Sequence, residues 1–573
     1  MKHHFRRLYF FHHTPKMQIL YRIQKRITRK YAHRQVLNQK TTFKVNFFGQ
    51  ILYKKAVFDT QDLLNDTFKF LNVTYTFKEN IQWYSTGQTT LWEFHLNYFD
   101  YLYTIKEFHR MSQEDNLLKK ALSWIEHWID QSERFNDVMW SPYTISLRVV
   151  NWLDFILYLQ SIGYAFKTDK IMASIQAQSL FLKRHLEWDV KGNHLIENFK
   201  TLILITLIKR DVEGTRQYLN LLLKNLNNQI LADGCHYEKS ISYHVVLLEG
   251  MLNVLEWLLI SGSKDKLEWQ ISRLWIYVQR MYRFYIEIRY GQDIYPLFND
   301  SNLSMTNSIK DLDLRFESIL EQLRSNEISD REDIKSSGYQ TVESSKMKVV
   351  MDGGTLGPNA LLAHAHNDIA HFELHLKGYP TVLTDTGVSE YQPGQWRNYA
   401  RSTKAHNTVL VGGLEQADMF QSFRVGWRPQ NVQSEKKIHE DTAVLSCFYK
   451  GKGYRHKREI SIDFSEQNII IRDFVKTIKQ YPVQSYLHFG PEYDVILNGQ
   501  DAQVCLNNQL VLAIKCVNAH TVSLYFGNNH STLGWFLPQF GQTIKRTTLE
   551  MVSDSTTEFT GFNISIFPLN AEG

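Results

Sequence analysis

The chain has 573 residues, which is too long for one ordinary globular domain and predicts two or three. Hydrophobic residues make up 43% and charged residues 22%, with only 28 glycines and 11 prolines, so disordered, collagen-like and low-complexity classes are excluded. The net charge is +6, and the four cysteines show no CxxC spacing and no disulfide framework.

The N-terminal segment, residues 1–58, is strongly basic. It carries 14 Lys and Arg residues, and Asp59 is the first acidic residue of the chain. Thr14-Pro15 predicts an N-cap followed by a helix start. Apolar residues then recur at helical spacing against a basic face: Met17, Leu20, Ile23, Ile27 and Tyr31. The segment is either a surface helix with a solvated basic face or a peripheral contact with a membrane surface or an anionic polymer.

Targeting signals are not evident in the sequence. Residues 1–35 lack the continuous apolar core of a secretory signal, and the longest wholly apolar runs, such as Leu202–Ile205, are too short to span a bilayer. We therefore expect a cytoplasmic or inner-membrane-associated protein rather than a periplasmic one. Nucleic acid is not among the expected partners, and the oligomeric state is left open.

Residues 59–335 are predicted to form an all-α domain. One apolar stripe runs from Leu117 to Ile129, and another runs from Val245 to Ile260. Turn residues separate the stripes, and little strand signal lies between them. Helical hairpins in series favour a solenoid or a closed toroid.

Residues 345–573 are predicted to form an all-β domain. The polar stretch Ser325–Lys346 marks the junction between the two domains. After it come short alternating segments such as Phe372–Leu376 and Glu459–Phe464, separated by turn residues such as Gly412-Gly413. The number of these segments favours a sandwich of two large antiparallel sheets.

Three polar clusters carry residue types that enzymes use, and the first is Gly192–Asn198. His194 and Glu197 are three residues apart, so they share one face of a helix, with Asn193 and Asn198 beside them. The alternative is an ordinary helix N-terminus, with Asn193 as the cap and Glu197 as its capping-box partner.

The second cluster, Asp233–His244, is a dense polar loop ahead of an apolar helix that begins at Val245. Tyr243 can give or take a proton if neighbouring positive charge lowers its pKa from the ordinary value of about 10. The alternative is a buried tyrosine with one hydrogen bond.

The third cluster contains five histidines between positions 364 and 406. In a strand, His364 and His366 would point the same way. A set of His366, Asp385 and His406 on neighbouring strands would suit Zn²⁺. The alternative is a group of ordinary histidines on a β surface.

Four motifs follow one another along the chain: NHxxEN at 193–198, a DG…ExSxxYH loop at 233–244, HxHxD at 364–368 and RSxxAHNTV at 401–409. Together with Trp92–Asp100 and Ser146–Trp152, they resemble the heparinase II/III-like polysaccharide lyases over nearly the whole chain. The resemblance implies an N-terminal (α/α) toroid, a C-terminal antiparallel β-sandwich and a cleft between them.

The resemblance also implies roles for individual residues. Asn193 and His194 resemble the pair that meets the substrate carboxylate. Tyr243 resembles the catalytic tyrosine and His364 the histidine that works opposite it. Tyr237 lies in the same loop as Tyr243 and is the alternative match.

Further residues carry over to substrate and metal binding. Four residues are assigned to substrate binding: Glu197, which resembles the acid beside the carboxylate-binding pair, and Asn198, Arg148 and His95. Three residues resemble the ligands of a zinc ion that looks structural: His366, Asp385 and His406.

The activity that the resemblance implies is β-elimination at C4 of a uronic acid in an acidic polysaccharide, which can be heparan-like, alginate-like or capsular. The site must neutralise the uronate carboxylate, take the C5 proton and protonate the leaving oxygen. Tyr243 and His364 can divide the two proton transfers in either order. The alternatives are a uronate C5-epimerase on the same scaffold and a non-catalytic glycan-binding or capsule-assembly protein.

Overall fold

A computed structural model describes residues 15–39, 42–43, 45, 51–52, 57–291, 294–306, 309–323 and 336–567. The first half of the chain is mostly helical, and the second half consists mostly of strands. The helices are Lys16–Leu37, Thr60–Leu64, Thr90–Tyr98, Tyr101–Ser112, Asn116–Gln131, Pro142–Ser161, Asp169–Arg184, Gly192–Ile208, Val212–Gln229, Ile241–Ile260, Glu268–Ile288, Ile309–Leu323 and Gln395–Ala400, with a 3₁₀ turn at Thr403–Ala405.

The long helices of the first half alternate between nearly fully buried and buried on one side, which places them in an inner and an outer layer. In Gly192–Ile208 every residue except His194 is buried, and Pro142–Ser161 and Ile241–Ile260 are also buried over most of their length. The helix that follows each of these buries only part of its surface, as an outer amphipathic helix does. Neighbouring inner helices pack against each other in chain order, which agrees with the predicted series of helical hairpins.

One helix among the described residues, Ile241–Ile260, is long and apolar enough to cross a membrane by length and composition, with a mean hydropathy of 1.4. However, 61% of its most apolar window is buried inside the structure, where the helix forms part of the inner layer. Its place in the core therefore explains its apolar character. The sequence prediction considered only uninterrupted apolar runs, and Glu249 interrupts this one.

The strands are β1 (Thr67–Phe70), β2 (Val73–Thr76), β3 (Tyr339–Glu343), β4 (Met347–Asp352), β5 (Phe372–Leu376), β6 (Thr381–Leu383), β7 (Val409–Val411), β8 (Met419–Phe420), β9 (Arg424–Val425), β10 (Gln430–His439), β11 (Thr442–Lys450), β12 (Tyr454–Asp463), β13 (Asn468–Thr477), β14 (Pro482–His488), β15 (Asp494–Asn498), β16 (Asp501–Leu506), β17 (Gln509–Val517), β18 (Thr521–Phe526), β19 (Trp535–Phe536), β20 (Ile544–Lys545), β21 (Thr547–Asp554) and β22 (Thr560–Ile566).

The second half is an antiparallel sandwich. One sheet has eight strands in the order β10-β11-β12-β13-β22-β17-β16-β15, and two four-stranded sheets have the orders β18-β21-β14-β7 and β3-β4-β5-β6. Alternate residues of β12 are buried, so one face of the large sheet is turned to the interior. Ile460 and Ile471 of the large sheet share one core cluster with Val349 and Leu549 of the smaller sheets. This shared core lies between two layers, as the sequence predicts.

Two details of the first half differ from or extend the prediction. The hairpin formed by β1 and β2 lies in a region that was expected to be wholly helical. The predicted N-terminal helix is present as Lys16–Leu37, and its proposed cap, Thr14, lies outside the described residues. The domain boundaries at 58/59 and at 335–345 stay predictions.

Candidate active site

The starts of three inner helices bring Tyr143, His194 and Tyr243 into one region. Each of these residues lies within the first three positions of its helix. The rings of Tyr143 and His194 are 4.3 Å apart. Burial raises the pKa of Tyr143, and the neighbouring Glu197 and Tyr243 add to the increase. Because the N-terminus of a helix carries partial positive charge, this end of the helical layer favours an anionic ligand.

His194 is the exposed member of this group, with 37% of its side chain accessible. Its Nδ1 lies 3.2 Å from Oε1 of Glu187. Burial alone would lower the pKa of His194, but the charge and hydrogen bond of Glu187 raise it above the ordinary value. The charged form of His194 is therefore favoured at the mouth of the site.

Glu187 is held in place by Asn198. The backbone N–H of Glu187 donates to Oδ1 of Asn198 at 2.9 Å, and Nδ2 of Asn198 donates to Oε2 of Glu187 at 3.2 Å. Asn198, which was predicted to bind substrate, is completely buried. It therefore acts through Glu187 and His194 rather than on a ligand.

Glu238 lies against the first turn of the helix that carries His194. A Cβ atom on Gly192 would lie 2.1 Å from Oε1 of Glu238, so only glycine fits there, and its φ of +54° is also one that glycine adopts readily. Burial raises the pKa of Glu238 despite the opposing charges of His364 and His194. Among the described residues, Oε1 of Glu238 has no hydrogen-bond partner. A neutral carboxyl group of this kind can donate a hydrogen bond to a bound carboxylate.

Tyr243 and His364 make the contact between the helical and the β half of the site. Their ring centroids are 4.0 Å apart, with an interplanar angle of 34°. The hydroxyl of Tyr243 lies 3.1 Å from that of Tyr391. Burial raises the pKa of Tyr243 well above its ordinary value, with contributions from Tyr391 and then the carboxylates of Asp300 and Glu238. The condition set from the sequence, a pKa lowered by nearby cations, is not met, so the hydroxyl carries its proton in this state.

His364 lies between two carboxyl groups. Its Nδ1 is 2.9 Å from Oδ2 of Asp300, and its Nε2 is 3.3 Å from Oε2 of Glu238. Asp300 also contacts Nε2 of His366 at 2.8 Å, and both terminal nitrogens of Arg397 donate to it. Burial alone would raise the pKa of Asp300, but Arg397 and the two histidines hold it well below its ordinary value. Asp300 therefore stays charged and fixes the ring of His364.

Two predicted substrate-binding residues have structural contacts instead. Arg148 is fully buried, donates to the carbonyl oxygens of Asn97 and Met139, and lies 3.9 Å over the ring of Trp128. These contacts give Arg148 a structural role, and its substrate-binding role stays a prediction. Glu197 accepts from Nζ of Lys200 with both oxygens at 2.8 Å, and this buried pair occupies the carboxylate.

The remaining predicted residues lie in or near the site. Asn193 is 8% exposed, next to His194 at the start of its helix. His95 lies farther away, at the end of a row of rings: its centroid is 5.1 Å from that of Tyr98, and Tyr98 is 6.0 Å from Tyr143. On the β side, the 41% exposed Phe423 is 5.4 Å from Tyr391. Aromatic rings thus border the site from both halves, which suits the stacking of sugar rings.

A second cluster, the buried histidine cluster, consists of His371, Asp385 and His406. One possible ligand atom from each lies within 4.8 Å of those of the other two. Oδ2 of Asp385 is 2.7 Å from Nδ1 of His406 and 3.0 Å from Nε2 of His371. Two imidazoles and one carboxylate are a donor set that fits a divalent metal such as zinc.

His371 takes the place that the sequence assigned to His366. Residues 364–368 are irregular rather than a strand, so strand alternation does not orient them. Instead Nε2 of His366 is directed to Asp300, while its ring centroid remains 5.5 Å from that of His406. Among the described residues, Nδ1 of His366 has no hydrogen-bond partner. The three-residue group is therefore corrected to His371, Asp385 and His406, with His366 beside it.

Several residues of the site were missed from the sequence. Glu238 lies inside the polar loop that was singled out, but a lone glutamate there gives no sign of burial. Asp300 and Arg397 lie between the motifs and meet only in the folded chain. A local signal for Glu238 is Gly192 in the Gly-Asn-His turn. A glycine at such a position can indicate that another group approaches the backbone closely, as Glu238 does here.

Family models match both halves of the chain. Residues 17–325 match the model described as Heparinase II/III N-terminus, and residues 328–564 match Heparinase II/III-like, C-terminal. The chain belongs to the heparinase II/III family. This confirms the resemblance seen in the motifs at 193–198, 233–244 and 364–368.

Similar proteins in the family include a heparin-sulfate lyase from Bacteroides thetaiotaomicron, which is 21% identical over 349 residues, or 53% of this chain and 49% of the relative. The chain thus spans about half the length of this curated relative. A crystal structure of heparinase III has a TM-score of 0.72 at 15% identity, over 95% of this chain and 90% of that one. A mutant heparan sulfate lyase from Pedobacter heparinus has a TM-score of 0.61 at 15% identity, over 95% and 89%. The predicted fold, an (α/α) toroid followed by an antiparallel β-sandwich, is confirmed.

Proposed function

We propose that this chain is a polysaccharide lyase that cleaves a uronic-acid-containing acidic polysaccharide by β-elimination at C4. The observation that carries the proposal is the contact of Tyr243 and His364 at 4.0 Å, with His194 and Glu238 beside them. The names of the relatives, which act on heparin and heparan sulfate, support a glycosaminoglycan or a similar chain as the substrate class.

The first requirement of the reaction is to reduce the charge on the uronate carboxylate, because the C5 proton is otherwise a poor acid. His194 supplies a cation, since Glu187 raises its pKa. Asn193 supplies an amide at the same helix N-terminus, where the helix dipole also favours negative charge. Burial raises the pKa of Glu238, and its carboxyl group can donate to the uronate carboxylate when it is protonated. The sequence assigned the acid beside the carboxylate-binding pair to Glu197. The carboxylate of Glu197 is instead occupied by its ion pair with Lys200.

The two proton transfers can be divided between Tyr243 and His364. Asp300 holds Nδ1 of His364, whereas Nε2 makes a longer contact, 3.3 Å, with Glu238. Nε2 takes the C5 proton, and the electron pair of the C5–H bond forms the C4–C5 double bond as the C4–O4 bond breaks. The hydroxyl of Tyr243, which carries its proton in this state, protonates the leaving O4.

We further propose that the buried histidine cluster holds Zn²⁺. His371, Asp385 and His406 come from the segments before β5, after β6 and before β7, so one ion would link three separate parts of the sandwich. Such an ion would stabilise the β wall that carries His364, and no step of the elimination is assigned to it. Residence at the inner face of a membrane remains a prediction.

A panel of acidic polysaccharides tests the function. Elimination creates a double bond conjugated with the uronate carboxylate, which absorbs in the ultraviolet, so a lyase gives rising absorbance and shorter chains. Deuterium uptake at C5 from heavy water without new absorbance would instead indicate an epimerase. Binding with neither change would indicate a non-catalytic protein, and either result would contradict the proposal.

A further inference from the structure

The N-terminal helix Lys16–Leu37 presents an apolar stripe to solvent. The stripe recurs every three or four residues, as one face of a helix does. Its members, with their exposed fractions, are Met17 (59%), Leu20 (57%), Ile23 (52%), Ile27 (73%) and Tyr31 (66%). We call these five residues the apolar stripe. An ordinary surface helix buries its larger apolar side chains, whereas this helix leaves them exposed and buries a side that contains Ala32 and Val36.

Polar contacts on the opposite side fix that orientation. Nζ of Lys25 lies 3.1 Å from Oδ1 of Asp189, and Nε2 of His33 lies 2.9 Å from the carbonyl oxygen of Ser132. The ring of His33 also packs edge-on against Trp140 at 4.5 Å. With a helical rotation of about 100° per residue, Lys25 and His33 lie on the side away from the stripe. The helix is thus attached to the toroid through these polar contacts and through Ala32 and Val36, which are buried in the core of the first half.

The charge of the helix indicates what kind of partner covers the apolar stripe. The helix contains seven Lys and Arg residues and no acidic residue. Lys30 and Arg34 are exposed and lie at the edge of the stripe, and the exposed Arg26 lies between the stripe and the attached side. A second copy of the same face would bring like charges together, which disfavours a dimer through this helix. A polysaccharide offers negative charge but little for aliphatic side chains such as Ile27 to contact.

An apolar stripe bordered by cations is the pattern of a helix that lies in the interface of a bilayer containing anionic lipids. We propose that Lys16–Leu37 docks this protein on such a membrane surface, with the apolar stripe at the level of the acyl chains and the cations among the headgroups. The proposal does not depend on the lyase activity. It places the toroid, and the site that opens at the helix starts, beside a membrane.

Vesicle sedimentation tests the proposal with the full chain. One set of vesicles contains phosphatidylcholine alone, and in the other about a third of the lipid is phosphatidylserine. We expect binding to the anionic vesicles that weakens as salt is added. The triple variant Leu20→Gln/Ile23→Gln/Ile27→Gln should partition at least about tenfold more weakly, because three apolar side chains no longer enter the interface.

Matched controls separate the stripe from general surface effects. Ile438→Gln/Ile478→Gln/Ile496→Gln changes three isoleucines of the sandwich that are 61%, 95% and 59% exposed, and it should bind like the wild type. Thermal unfolding of both triple variants should match the wild type, since all six side chains are exposed.

The charge on the helix is tested separately. Arg26→Glu/Lys30→Glu should weaken binding to anionic vesicles more than Lys119→Glu/Lys224→Glu on the outer helices does. Two outcomes of the vesicle experiment would overturn the proposal: no binding by the wild-type chain, or equal binding by the wild type and the stripe variant. A third would be a wild type that binds no vesicles and has a larger molecular mass in solution than the stripe variant. The last result would make the stripe an interface between copies.

Discussion

His194 and His364 expose 37% and 12% of their side chains, whereas His371 and His406 expose none. All four belong to clusters in which histidine rings contact carboxylates at 2.7–3.3 Å. Similar residue types therefore serve two different purposes. At the exposed pair a ring nitrogen can be reached by a ligand in the cleft, while at the buried pair every approach is closed by protein.

The carboxylates of the two clusters also differ. Glu238 in the cleft has His364 and His194 as neighbours, but burial outweighs their charges and raises its pKa, so it can donate when it is protonated. Burial alone would also raise the pKa of Asp385, but His406 and His371 hold it well below its ordinary value. A neutral carboxyl group suits the binding of an anionic substrate, and a charged carboxylate between two imidazoles suits a metal cation. The contrast predicts different losses when each cluster is changed.

The largest expected effect is on turnover, from Tyr243→Phe in the cleft. The change removes only a hydroxyl, so packing should survive, and loss of proton transfer should lower kcat by roughly 10²–10⁴-fold with little change in substrate binding. Turnover on a substrate from the polysaccharide panel measures this. Tyr237→Phe in the same loop is the control and should remain active. Near-full turnover by Tyr243→Phe would contradict the proposed acid.

Changes in the buried histidine cluster should affect stability first. His371→Ala leaves Asp385 without one of its two imidazole partners, and loss of one partner from a buried charged group costs about 3–5 kcal/mol of unfolding free energy. Bound metal, measured by elemental analysis, should fall together with the melting temperature. His366→Ala separates the two ligand sets, because it should retain metal if His371 is the ligand. Loss of metal in His366→Ala with retention in His371→Ala would restore the set inferred from the sequence.

The sequence predicts the layers of the fold well because periodicity is a local property. Leu117–Ile129 and Val245–Ile260 show helical stripes, and β12 shows strand alternation, without reference to distant residues. Tyr243 and His194 could be found because they lie in dense polar motifs at helix starts. The closeness of these two residues depends on how the toroid folds. It could be predicted only from the family resemblance.

The missed and misassigned residues depend on long-range contacts. Asp300 and Arg397 are 97 positions apart, and neither lies in a motif. The choice of His366 came from the family resemblance and from an expected strand, and the segment folds as an irregular loop instead. Arg148 was read as a binding cation, although a buried arginine that donates to main-chain carbonyls stabilises a core equally well. Burial decides each of these cases, and sequence spacing does not report it.

A smaller effect is expected in the pH dependence of the cleft. Glu187→Gln removes the charge that raises the pKa of His194, and burial then lowers that pKa. If cationic His194 holds the uronate, activity falls as pH rises through the pKa of His194, so the variant should lose activity at a lower pH than the wild type. The pH profile of kcat/KM measures the shift. The same interaction stabilises the fold at low pH and is lost as pH rises through the pKa of the folded state.

An unshifted profile in a folded Glu187→Gln protein would show that His194 does not titrate in the catalytic range.

The smallest expected effect on turnover is that of Glu197→Gln. The family resemblance assigned Glu197 to the carboxylate-binding group, but both of its oxygens accept from Lys200 at 2.8 Å. A glutamine keeps one acceptor for Lys200, so unfolding free energy should fall by about 1–3 kcal/mol, as for a weakened hydrogen bond to a charged group. Turnover should stay within about threefold of the wild type, since the reacting groups are untouched.

Glu238→Ala is the counterpart and should lower turnover strongly, because it removes the neutral donor from the cleft. A folded Glu197→Gln protein that is inactive, beside an active Glu238→Ala protein, would return the carboxylate-binding role to Glu197.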